Sequence, residues 1–141
     1  RTSSSAASDV YKRQVLETRS SQQAAAFHND VAYYEVYGGA LEDESEGQHM
    51  AEVLGDKRIL MMRNHGAMVV GASVGQAYLD VYQLERACMY QLLAVGGGGE
   101  MQLIPDEVAT AISAGARNDF NSKHFAGMKA FVDARAPDYA N

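Results

Sequence analysis

The sequence has a single cysteine, Cys88, no tryptophan and only two prolines among its 141 residues. One cysteine excludes an intramolecular disulfide framework and a cysteine-based zinc site, and it suits a reducing, cytoplasmic setting. No uninterrupted apolar run approaches the length of a membrane span. Residues 1–14 lack the apolar core of a signal peptide. A basic surplus is missing too: 12 Lys and Arg stand against 18 Asp and Glu, for a formal net charge of −6. That balance argues against nucleic acid or an anionic membrane as partner, because both require a basic surface. It leaves room for a small anion in a local pocket. What is present is a globular profile, 47% hydrophobic and 21% charged, in a chain long enough for one domain with a real core.

Residues 1–14, RTSSSAASDVYKRQ, are Ser- and Ala-rich and aperiodic. They read as a non-native, adaptor-like stretch or a disordered tail, so the domain is placed at 15–141 with its front lost. Val31, Tyr33, Tyr34, Val36 and Tyr37 favour a strand that Gly38-Gly39 ends. Residues 22–28 fit helix or strand. In 41–56, Ser45 and Gln48 have capping-box spacing, Met50, Val53 and Leu54 make a short apolar face, and Gly55 suits the stop. The acids at 42, 43, 44 and 46 lie near that helix's N-terminus, where the backbone dipole favours them; they read as capping and solubility, not as a metal cluster. Residues 57–71, KRILMMRNHGAMVVG, read as strand, tight turn, strand, both arms apolar enough to be covered on both faces.

The strongest helix spans 73–99. Ser73 and Gln76 form a second capping box. Ala77, Val81, Leu84, Cys88, Leu92 and Val95 follow helical spacing, and Tyr78, Tyr82, Met89 and Leu93 widen the stripe, which implies heavy burial. Gly96 to Gly99 ends it. A further helix over 104–117 opens with Pro105, Asp106 and Glu107. A last one within 122–139 carries Phe125, Met128, Phe131 and Val132 on one side and stops at Pro137.

His65 is the main candidate for chemistry. It sits on a turn between two buried strands, where a rigid support presents binding groups, and imidazole is both a common metal ligand and a general base. Asn64 can fix the turn and Gly66 permits a positive backbone angle. From spacing alone, a solvent-exposed turn histidine without a role is the favoured reading. His28, His49 and His124 do not complete a site by spacing, and zinc needs about four ligands. GASVGQA (71–77) places two glycines at a strand-to-helix junction, a geometry that can bind phosphate, but it lacks the P-loop Lys and the third dinucleotide glycine. Glu85 reads as a buried, paired carboxylate or as part of a helix-surface salt bridge, Cys88 as a small core residue, and most of the eight tyrosines as packing residues.

The ordered block EGQHMAEVLGDKRILMMRNHGAMVVGASVGQAYLDVYQLERACMYQLLA (46–94), with the flanking VAYYEVYGG and RAPDYAN, resembles the class II aldolase/adducin family, in particular its adducin-like bacterial branch. The resemblance implies an incomplete α/β fold: a three-layer α/β/α sandwich with a mostly antiparallel central sheet, of which this chain is the C-terminal half. It implies a cytoplasmic homotetramer in carbohydrate metabolism, a lyase for small phosphorylated sugars or sugar acids. The reaction would be aldolase-type carbon–carbon cleavage or decarboxylation, with a divalent metal, zinc, polarising the substrate oxygen. His65 falls on the last metal ligand of that pattern. The family's His-x-His pair, catalytic glutamate and phosphate-binding part lie upstream and are absent here, so the chain alone is expected to be inactive and no catalytic residue is assigned. Tyr139 lies in a tail region where a family tyrosine assists proton transfer, without a firm match. The alternative is a non-catalytic adducin-like binding or structural module in which RNHG is only a turn.

Overall fold

The computed structural model describes residues 15–35, 44–98, 100–117 and 122–140. The 1–14 segment, the expected strand beyond Glu35 and the acids at 42 and 43 lie outside the described residues. The order of elements is α1 (Gln22–Ala25), β1 (Val31–Tyr34), α2 (Glu44–Leu54), β2 (Ile59–Met62), β3 (Gly66–Val69), α3 (Val74–Gly96), α4 (Asp106–Ala116) and α5 (Ser122–Arg135). A 3-10 turn, Pro137–Ala140, follows.

The three strands form one sheet in the order β1-β2-β3. The expectation of a mostly antiparallel sheet is corrected here. β2 and β3 are antiparallel, but β1 pairs with β2 in parallel, Val31 opposite Ile59 and Tyr34 opposite Met62. The reason is the connection: α2 lies between β1 and β2, and a crossover through a helix returns the chain to the same end of the sheet.

The pleat sends alternate residues to two cores. Ile59 and Met61 join Leu16, Ala24, Phe27, Leu84, Ala87 and Cys88 on one side; Leu60 and Met62 join Ala32, Tyr34 and Met50 on the other. Helices thus cover both faces, α1 and α3 one and α2 the other. All four β2 residues are buried, as the apolar run implied. Each such side chain removed from water contributes about 1.5–3 kcal/mol. The second arm departs from expectation: β3 is only half-covered, and Met68 is 37% exposed. α2 packs over β1 and β2 and leaves that face of β3 open.

Two helix starts differ in detail. α2 has already begun at Glu44, so Ser45 lies in its first turn and is not its cap. Its end matches the sequence, with Gly55 at φ +58°. Ser73 does cap α3, accepting the Gln76 N–H at 3.1 Å. The buried stripe of α3 is rotated from the one that hydropathy marks. Leu84 and Cys88 are inside, but Val81 is 52% exposed and Val95 45%, while Gln76, Asp80 and Gln91 are buried. Polar partners draw those three inward. Gln91 accepts the Glu17 N–H at 2.6 Å and donates to Val15 O at 2.9 Å, which ties residues 15–17 to α3. The tyrosine side of α3 meets α5 instead of the core: Tyr78 lies 5.6 Å from Phe125 and Tyr82 5.5 Å from His124, ring to ring. α5 leaves Phe131 and Met128 exposed.

Candidate functional site

The turn at 63–65 is closed by the His65 N–H donating to Met62 O at 3.2 Å. Asn64 takes φ +56° and Gly66 φ +152°. Asn is among the few side chains that adopt the left-handed region readily, so Asn64 bends the chain itself. The same corner is fastened to β1, because the Arg63 N–H donates to Tyr34 O at 3.0 Å. The parallel pairing of β1 and β2 therefore brings the carboxyl ends of both strands to one place. Tyr34, Glu35, Arg63, Asn64 and His65 stand there together. His65 is exposed, an imidazole on a rigid mount. Arg63 and Glu35 face each other at 3.8 Å, both open to solvent. Tyr34 is buried behind them, edge-on to the His49 ring at 5.4 Å, and burial together with the Glu46 carboxylate pushes its phenol up from the ordinary value.

The other histidines are dispersed, as their spacing indicated. His49 and His124 are exposed. His28 is buried, its Nδ1 2.9 Å from Thr18 Oγ1 and its Nε2 3.2 Å from Asp106 Oδ1. It holds the start of α4, whose Ser113 hydroxyl donates to His28 O at 2.8 Å. Among the described residues no group of three or more His, Cys, Asp or Glu could hold a metal ion. His65 is one fitting donor and not a complete set. Tyr139 lies on the terminal 3-10 turn and donates to Asp133 Oδ1 at 2.5 Å; Lys129 Nζ donates to the same carboxylate at 2.9 Å.

Of the glycines of GASVGQA, Gly71 is required by packing, since a Cβ there would lie 2.7 Å from Ala77 N; one on Gly75 would meet Phe125 at 3.4 Å, an ordinary contact. Cys88 is a core residue, its thiol pushed up to about 12 by burial and by the Glu85 carboxylate. Arg86 stacks on the Tyr82 ring, 4.9 Å from its centroid.

The sequence reading missed a buried polar network at the opposite end of the sheet. Arg58 Nε donates to Asp30 Oδ2 at 2.5 Å, its Nη1 to Asp80 Oδ2 at 3.0 Å and its Nη2 to Ala26 O at 2.8 Å. Arg117, the C-cap of α4, reaches the second oxygen of Asp30, and Gln76 Nε2 donates to both oxygens of Asp80, at 3.0 and 2.9 Å. Arg58, Gln76 and Arg117 line a cleft of about 450 Å³, in which both guanidiniums are paired with buried carboxylates. A four-residue interval from Gln76 to Asp80, on the side of α3 that carries Leu84, was the available signal.

The family profile for the class II aldolase and adducin N-terminal domain matches residues 2–92. A Caulobacter vibrioides protein named for class 2 aldolases is 39% identical over 79 residues, 56% of this chain and 30% of that one. A similarly named Pseudomonas aeruginosa protein is 34% identical over 98 residues, 70% of this chain and 36% of that one. Gamma-adducin of Rattus norvegicus is 36% identical over 78 residues, 55% of this chain and 11% of the adducin. Among solved structures, an aldolase II superfamily protein from Pseudomonas syringae superposes with a TM-score of 0.85 at 29% identity, over 99% of this chain and 57% of that one. The fold alone is shared with an L-fuculose 1-phosphate aldolase from Glaciozyma antarctica, at a TM-score of 0.72 and 24% identity, over 93% of this chain and 50% of that one. The chain thus spans about a third of the curated bacterial relatives it matches, and it belongs to the class II aldolase/adducin family.

Proposed function

We propose that this chain supplies the His65 corner of a divalent-metal-dependent lyase. The reaction is aldolase-type carbon–carbon cleavage or decarboxylation of a small sugar phosphate or sugar acid, with zinc as the metal and a cytoplasmic homo-oligomer, a tetramer, as the working form. In this reading residues 15–141 are the C-terminal part of the domain. The observation that supports it is the placement of His65 within a family of this kind: an exposed imidazole on a turn held by Asn64, Gly66 and two backbone hydrogen bonds. Such a turn fixes the backbone from which the imidazole is presented. The described residues supply this one donor, so the remaining ligands come from elsewhere in the assembled protein. A bound divalent ion would act as a Lewis acid on a carbonyl or enediolate oxygen. The chain's own part is to hold the imidazole in position; no proton-transferring group is assigned to it.

The test uses the full-length protein that contains this chain. His65→Ala is expected to lose most of its bound zinc and most turnover on a panel of sugar phosphates and sugar acids. Full zinc content with full turnover would overturn the assignment. The similarity to gamma-adducin supports a second reading, a non-catalytic binding module. A parent protein that assembles normally, binds no metal and turns over no member of the panel favours that reading.

A further inference from the structure

We propose that Arg63 is the anion-recognising residue of the His65 site and that Glu35 is its built-in competitor. The proposal rests on the reading that the 63–65 turn borders the substrate site. Arg63 is two residues from His65 on a turn closed by His65 N–H to Met62 O and tied to β1 by Arg63 N–H to Tyr34 O. The Arg63 side chain is 58% exposed, so it is open to a ligand from solvent. Among the described residues it pairs with Glu35, at 3.8 Å, beyond hydrogen-bonding length, and the Glu35 side chain is itself 70% exposed.

A pair of that kind is weak, because water screens it and two long side chains must be ordered to make it. A carboxylate or phosphate that engages the guanidinium with two short, parallel N–H···O bonds makes a stronger contact and displaces it. The chain as a whole is anionic, at −6, so an anionic substrate gains from a local cation that overcomes the general repulsion. Glu35 sets the threshold: a neutral sugar leaves the Arg63–Glu35 pair intact, and an oxyanion competes it away. The group recognised on Arg63 is therefore an oxyanion, a carboxylate or a phosphate.

The two side chains give responses of opposite sign. In the full-length protein, calorimetric titration with inorganic phosphate and, separately, with acetate is expected to show about tenfold weaker binding in Arg63→Gln. It should show a few-fold tighter binding in Glu35→Gln, a gain that misfolding cannot produce. Tighter binding of phosphate than of acetate assigns the site to sugar phosphates; the reverse assigns it to sugar acids. The proposal is overturned if Arg63→Gln binds like the parent, if Glu35→Gln binds no tighter, or if the parent binds neither anion. Zinc content, unchanged in both variants, separates this result from the His65 reading, which fails on its own if His65→Ala keeps its metal.

Discussion

Arg58 enters the core with its charge neutralised from two sides, by Asp30 before β1 and Asp80 on α3. Burial holds the Asp80 carboxyl above the usual carboxylate range, against the opposing pull of Gln76 and Arg58. A carboxyl raised in this way binds its proton more tightly in the folded chain than in the unfolded one. Its contribution to stability is therefore lost as pH climbs from the ordinary value, about 4, through the raised one, and is level above it. In urea titrations across that range, the parent's unfolding free energy minus that of Asp80→Asn should fall as pH rises. A difference that grows with pH would show that the pairing with Arg58 outweighs desolvation. His65 gives the contrasting case of an exposed residue that carries no packing load, so substituting it tests chemistry and not stability.

At the scale of the element, the junction of β3 and α3 depends on one close approach. A Cβ at Gly71 would lie 2.7 Å from the Ala77 nitrogen and 3.1 Å from its Cα. The obstruction is helix backbone, which cannot rotate away, so Gly71→Ala should cost about 1–3 kcal/mol in thermal unfolding. Gly47→Ala is the control: it lies within α2 with nothing within 4 Å of the added Cβ, and it should be neutral or stabilising by about 0.5–1 kcal/mol. Equal losses at both positions would remove the close-approach argument. What the sequence made legible follows the same division between local and distant causes. The β2–β3 hairpin, the Ser73 cap and the placement of His65 on a turn are set by neighbours in sequence, and they were readable. The parallel partnership of β1 was not, because strand direction depends on where a long connection returns. Hydropathy also misplaced the buried stripe of α3, since Asp80 and Gln91 owe their burial to Arg58 and to residues 15–17, partners far away in the chain, and Gln76 follows by bonding Asp80. Likewise, nothing in the spacing of RNHG announced that Glu35 would stand beside Arg63.

Across the whole molecule, the described sheet has β2 at its centre and β1 and β3 at its margins. No helix among the described residues is long and apolar enough to cross a membrane. The two strand pairings differ greatly in how far apart along the chain their partners lie. β3 follows β2 after a three-residue turn, whereas Val31 waits for Ile59, 28 positions later. Closing the longer loop costs more chain entropy before any contact repays it. The hairpin should therefore be present when the chain crosses its folding barrier, and β1 should dock afterwards. Stopped-flow kinetics check this order: Val69→Ala in β3 should slow refolding, while Val31→Ala in β1 should chiefly speed unfolding. The reverse pattern would place the parallel pair first. The crossover through α2 thus gives the His65 corner a history as well as a position. Its bend forms early, on the microsecond scale of hairpins, and it becomes a corner only when Tyr34 arrives to receive the Arg63 N–H.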